Sequence, residues 1–237
     1  MFDFSSRTVL VTGAAGNLGQ AIGRELAGTT AHLVAVDVSE PGQAKAYAGW
    51  PADRVLVLAG IDLTSPASVD EMAQRAISRF GHVDVLINTV GTFRGGQSVV
   101  DGPLSDWDLL MYVNLRTALL TSRALVPHFL RRGYGRIVNV AARPALAGAA
   151  GIAAYSASKA ALLRLTESLA AELKGHDITA NAVMPGTIDT PQNRAAMPDA
   201  DTTTWVTPAA VACAVLFLAS EEAGAITGAA LPVSGRG

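Results

Sequence analysis

One cysteine, few aromatic residues and little charge set the first limits on this 237-residue chain. Cys213 stands alone, which rules out an internal disulfide and any metal site built from several cysteines. It falls in the apolar stretch 211–219 and reads as a small core residue. Charged residues are 16% of the chain, net −2, and form no basic block. The electrostatic footprint that nucleic acid or an anionic membrane demands is therefore missing, and a small molecule is the expected partner. No apolar helical run nears the ~20 residues of a membrane span; the longest is 211–219, expected as a buried helix. Residues 1–8 show no basic segment leading into an apolar core and cleavage site, so the cytoplasm is the expected compartment.

What is present is alternation. Hydrophobic residues make up half of the chain, enough for one domain with a sizeable core. Short β-branched or apolar runs at 8–12, 31–36, 55–58, 83–87, 136–140, 179–183 and 229–233 read as strands. A helix-like segment runs from the first strand's glycine turn to Ala27, and helices fit 66–80, 105–131, 153–173 and 208–219. Repeated strand–helix alternation predicts a doubly wound, Rossmann-like parallel sheet of about seven strands, helices on both faces, in a single α/β domain over 1–237. Two segments, 92–103 and 185–207, lack apolar periodicity and read as loops. Both follow strands, where an open parallel sheet builds its ligand crevice. The stretch at about 186–207 is the expected substrate loop.

The sequence Thr12-Gly13-Ala14-Ala15-Gly16-Asn17-Leu18-Gly19 joins the first strand to the first helix. Glycines there permit a tight turn, and the helix amides face an incoming pyrophosphate. Asp37 ends the second strand 18 residues after Gly19, placed to accept hydrogen bonds from an adenosine ribose and to repel a 2′-phosphate. NAD(H) is thus the favoured cofactor, with NADP(H) the alternative left open. Asp62 after the third strand, and Asn88 with Gly91 after the fourth, stand where further cofactor contacts are expected. Tyr155 and Lys159, four residues apart on a predicted helix, share one face. A nearby ammonium is expected to lower the phenol's pKa and suit it to proton transfer.

Taken in order, the glycine turn, Asp37, Asn88 to Gly91, Asn114, Asn139, the Tyr155/Lys159 pair and Pro185-Gly186 resemble the short-chain dehydrogenase/reductase family over essentially the whole chain. The resemblance implies Tyr155 as general acid/base, Lys159 as its partner and Asn114 as holder of a water in a proton relay. It implies cofactor contacts from Gly13, Ala15, Asn17, Leu18 and Gly19 in the turn, and from Asp62 and Leu63. Pro185, Gly186, Ile188 and Thr190 match the segment beside the nicotinamide carboxamide. It also implies a homodimer or homotetramer, pairing the long helices 105–131 and 153–173, where Ala160 and Ala161 permit close packing.

Three departures from the family pattern stand out. Ala142, 13 residues before Tyr155, occupies the place of the serine that hydrogen-bonds the substrate carbonyl, and Ala141 has no hydroxyl either. Loss of one such donor costs ~10²–10³ in rate. Asn88-Thr89-Val90-Gly91 changes the middle of the family's Asn-Asn-Ala-Gly, and Gly13/Gly16/Gly19 follow the spacing of its longer, epimerase-like members. The segment 189–201 and the missing serine resemble dihydropteridine reductase, whose electron-poor quinonoid substrate needs less carbonyl activation. Arg143, next to Ala142, and Arg94 adjoin strand-end loops and are candidates for meeting an anionic or planar substrate. A catalytically weak dinucleotide-binding sensor is the non-enzyme alternative.

Overall fold

A computed structural model describes residues 2–236. Seven parallel strands form one sheet: β1 (Thr8–Thr12), β2 (His32–Val36), β3 (Val55–Leu58), β4 (Val85–Asn88), β5 (Tyr134–Val140), β6 (Asp177–Pro185) and β7 (Ala230–Val233). Their spatial order is β3-β2-β1-β4-β5-β6-β7. The chain therefore reverses its direction of travel between β1 and β4, and loops beyond those strands' carboxyl ends diverge to leave a crevice.

The helices are α1 (Asn17–Ala27), α2 (Glu40–Tyr47), α3 (Pro66–Phe80), α4 (Leu104–Met111), α5 (Thr117–Arg132), α6 (Ala153–Leu173), α7 (Pro191–Ala196) and α8 (Pro208–Ala219). Strand side chains alternate between two cores. Val9, Val11, Leu33 and Ala35 face α1 and α8, meeting Ile22, Leu26, Val211 and Val215. Leu10, Val34, Leu86 and Ile137 face the opposite layer, meeting Met72, Leu125, Phe129 and Leu173 of α3, α5 and α6. Because both faces are covered, every residue of β1 is buried, and the strand reads as an unbroken apolar run framed by threonines. Each such Val or Leu contributes about 1.5–3 kcal/mol by leaving water.

Three expectations need correction. The helix expected over 105–131 is two helices joined by a π-helical turn, Tyr112–Arg116. The expected loop after Pro185 holds α7 and the 3-10 turn Thr202–Thr204. Cys213 is exposed: the buried face of α8 is Val211, Ala212, Val215, Leu216, Leu218 and Ala219, and Cys213 falls outside it. The α2 helix was not expected from the sequence. Among the described residues no helix is long and apolar enough to cross a membrane.

Candidate active site

The first of two neighbouring clefts opens where β1 and β4 part. It encloses about 520 Å³ and is lined by Gly13, Asn17, Leu18 and Gly19 of the glycine turn, Asp37, Asp62 and Leu63 from the next two strand ends, Gly91, Ile188 and Thr190. Gly13 sits at φ +65°, and a Cβ there would come within 2.6 Å of Thr89 Oγ1. A Cβ on Gly19 would lie 2.4 Å from the Gly13 carbonyl oxygen. These two glycines let helix and turn close on each other, leaving the first amides of α1 at the cleft with no acidic side chain in that turn.

Beside the same turn, the Asp37 carboxylate accepts the Ala15 N–H and the Ser39 N–H, each at 2.9 Å. Ala15 thus acts by fixing Asp37, and does not line the cleft. Asp62 accepts the amide and hydroxyl of Thr64 at 2.8 and 2.7 Å, and those hydrogen bonds hold its carboxyl below the usual range. Among the described residues no lysine or arginine lines this cleft. A cleft lined by the glycine turn at the start of α1 and by the Asp37 carboxylate fits a dinucleotide: the helix amides suit its pyrophosphate and Asp37 a ribose diol.

The second cleft, about 580 Å³, adjoins the first through Thr89, Gly91, Ile188 and Asn193. Tyr155, Lys159, Ala142, Arg143, Pro185, Gly186 and Thr187 line it, with Phe93, Val140 and Met197 as apolar wall. Tyr155 enters from the first turn of α6 and packs edge-on against Phe93, ring centres 5.0 Å apart. Lys159, one turn on, is buried and donates to the Val140 carbonyl at 2.9 Å. Burial pushes the Tyr155 phenol up to about 12 and the Lys159 ammonium down to about 8. This corrects the expectation of a lowered phenol pKa. Desolvation penalises both charged forms, and a lysine drawn toward neutrality has less charge with which to favour a phenolate. Ala142 presents only a methyl group in place of the family's serine hydroxyl, and the exposed Arg143 follows it at the start of the half-buried 3-10 turn Arg143–Ala145. Arg94 bonds to the Phe93 carbonyl and lies outside this cleft.

Asn114 lies behind the cleft, fully buried in the π-helical turn. An extra residue in the turn re-aims the side chain, a recurrent device at functional sites. Its Oδ1 accepts the Thr92 N–H at 2.7 Å, and its Nδ2 donates to Thr92 O and Ser158 Oγ at 3.0 Å. Ser158 Oγ in turn donates to the Tyr155 carbonyl. Asn88 is likewise beneath the cleft: it donates to Asn139 and accepts from Thr121, tying β4 to β5 and α5.

A family model described as short chain dehydrogenase matches residues 7–201. The chain belongs to the short-chain dehydrogenase family. It is 35% identical to 2-(R)-hydroxypropyl-CoM dehydrogenase of Xanthobacter autotrophicus, covering 97% of this chain and 98% of that one. The 3-oxoacyl-[acyl-carrier-protein] reductase of Vibrio cholerae is 32% identical, covering 98% of each. A crystal structure from Burkholderia xenovorans assigned to the short-chain dehydrogenases/reductases superposes with a TM-score of 0.88 at 29% identity, over 99% of this chain and 97% of that one. The chain is accordingly an oxidoreductase of a family that uses nicotinamide cofactors. The narrower likeness to dihydropteridine reductase, expected from the 189–201 segment and Ala142, is not shown by these comparisons.

Several residues that line the two clefts escaped the sequence reading. Thr187, Asn193 and Met197 come from the segment read as loop. One signal was available: Thr190 followed by Pro191 is a helix start, and Thr190 Oγ1 does accept the Asn193 N–H at 3.1 Å. Thr89 stood inside the Asn88-to-Gly91 motif without being singled out, and Phe93 and Val113 reach the clefts only through the packing of the fold.

Proposed function

We propose that this chain is an NAD(H)-dependent oxidoreductase acting on a small carbonyl or alcohol compound, with Tyr155 as general acid/base. The observation that carries this reading is the convergence of Tyr155, Lys159, Gly186 and Ile188 on one cleft, continuous with a second that fits a dinucleotide. A bound nicotinamide supplies or accepts the hydride. The Tyr155 hydroxyl, protonated throughout the physiological range, gives its proton to the substrate oxygen in reduction and recovers it in oxidation. Lys159 stands behind it as the charge that eases departure of that proton, and Asn114 steadies the backbone of Tyr155 through Ser158. Gly13, Asn17, Leu18, Gly19, Asp62, Leu63, Gly91, Pro185, Gly186, Ile188 and Thr190 hold the dinucleotide in this reading.

Asp37 and the absence of lysine and arginine among the described residues of the nucleotide cleft support NAD(H) over NADP(H). A 2′-phosphate would meet a carboxylate there and find no cation. Comparison of kcat/KM with the two cofactors tests this; a preference for NADPH would overturn it. Exposed Leu104, Met111, Tyr112 and Leu119 along α4 to α5 support a homo-oligomer, which sedimentation checks.

The main test is nicotinamide oxidation or reduction against ketones, quinones and a quinonoid dihydropterin, comparing wild type with Tyr155→Phe. The proposal expects turnover that falls about 10²- to 10⁴-fold in the variant. Ala142 favours one competing reading, a dinucleotide-binding sensor. Tight nucleotide binding with no Tyr155-dependent turnover would decide for it.

A further inference from the structure

Two large apolar side chains among the described residues lining the catalytic cleft are left exposed, Phe93 at 56% and Met197 at 39%. A ring left open to water forgoes the gain that burial brings, and an apolar ligand that covers it recovers that gain. The charges along the cleft are already engaged: Lys159 donates to the Val140 carbonyl, and Arg143 has an interaction partner. No aspartate or glutamate stands among the described residues that line it, and Ala142 adds only a methyl group.

The Phe93 backbone is anchored on both sides. Asn114 clasps the preceding residue: its Oδ1 accepts the Thr92 N–H at 2.7 Å and its Nδ2 donates to the Thr92 carbonyl at 3.0 Å. Further on, the Gly96 N–H donates to the Gly151 carbonyl at 2.8 Å, tying the segment to the approach to α6. Between these anchors the Phe93 ring meets the Tyr155 ring edge-on, centres 5.0 Å apart and planes at 74°. Gly95 makes the room, since a Cβ there would lie 2.8 Å from Phe93 Cζ. The ring is thus a preformed apolar surface packed directly on the proton donor.

Resting on the hydride-transfer reading above, we infer that the substrate is a neutral aryl carbonyl compound, or the matching benzylic alcohol, whose ring packs against Phe93 while its oxygen meets Tyr155. Ring–ring packing is worth more than the apolar area alone, and the Met197 thioether also favours an aromatic neighbour. An aryl ring conjugated to a carbonyl lies in its plane, so holding the ring orients the carbonyl. That does part of what the absent hydroxyl would have done. In reduction the carbonyl carbon receives hydride from the reduced nicotinamide and the oxygen receives the Tyr155 proton, giving a secondary benzylic alcohol and oxidised nicotinamide. Phe93 is in this account a specificity-determining residue, and Tyr155 remains the proton donor.

The experiment pairs probes of like size that differ in the ring. In calorimetry with NADH present, benzamide is expected to bind wild type more tightly than cyclohexanecarboxamide. Phe93→Leu, which keeps an apolar side chain and removes the ring, abolishes that difference; Phe93→Tyr keeps it. In turnover, acetophenone is compared with cyclohexyl methyl ketone. Phe93→Leu is expected to lower the aryl-over-cyclohexyl ratio of kcat/KM about 2- to 10-fold, chiefly through KM, the value of one ring–ring contact. Because the ratio is taken within one variant, any change at Tyr155 from losing its neighbour cancels. A Phe93-dependent preference for benzamide without turnover of either ketone would keep the aryl site and sink the hydride-transfer reading. Turnover with a ratio that Phe93→Leu leaves unchanged would keep that reading and overturn the inference. Equal binding of the two amides by wild type overturns it as well.

Discussion

Asn17 Nδ2 donates to Gln192 Oε1 at 2.8 Å, joining the first turn of α1 to α7. The two residues are 175 positions apart, and Asn17 lines the nucleotide cleft. The α7 segment that it holds is stiff in itself: Thr190 caps it, Asn193 donates to the Ile188 carbonyl at 2.8 Å, and Arg194 grips Asp189 through two bonds. Gln192→Ala removes the tie without disturbing that unit. Its expected effect is nucleotide release about 2- to 10-fold faster, the range for one neutral hydrogen bond. Stopped-flow NADH fluorescence measures it. Thermal stability should hardly move, since Gln192 is exposed.

That bond also marks where the sequence stops being readable. Strands were legible because a sheet covered on both faces needs continuous apolar runs, and β3, α3, α6 and α8 fall where the pattern puts them. Gly13 was legible because close backbone approach restricts the residue type allowed, and Asp37 because its place at the end of β2 brings it to the cleft. By contrast, α2 hides behind Pro41 and Gly42, which lower helix propensity, and it has no apolar stripe. The π-helical turn is built from Tyr112-Val113-Asn114-Leu115-Arg116, residues that an α-helix would accept equally. Tyr155 and Lys159 were placed correctly on one face, but their pKa values depend on how deeply the fold buries them. Spacing has no bearing on that depth.

Ala142→Ser tests what the missing hydroxyl does. Ala142 is buried at the wall of the catalytic cleft, 7% exposed, and serine adds a single oxygen there. One well-placed donor on a developing oxyanion is worth ~10²–10³ in rate. The expected result is a gain of about 10-fold or more in kcat on unactivated neutral ketones, with a smaller gain on substrates that anchor elsewhere. Steady-state kinetics on paired substrates reads this. A uniform gain, or none, would show that Ala142 is not where the carbonyl oxygen comes to rest.

Lys159 makes the fold's stability depend on pH in a direction that can be worked out. Its folded pKa of about 8 lies below the ordinary 10.5. Between those values the unfolded chain binds more protons than the folded one, so stability rises with pH from about 8 to 10.5. At neutral pH the buried ammonium therefore weakens the fold by about 3 kcal/mol, taking 1.36 kcal/mol per pKa unit. The Tyr155 phenol, raised from 10 to about 12, acts oppositely, but only above pH 10. Urea unfolding between pH 8 and 10 thus isolates the lysine. Lys159→Met should flatten the rise in that window. Its gain at pH 7 should be smaller than 3 kcal/mol, because the Val140 carbonyl loses its partner. An unchanged rise would assign the pH dependence to another group. A flat profile in a variant that is more stable yet inactive would identify Lys159 as a charge that weakens the fold and serves the reaction.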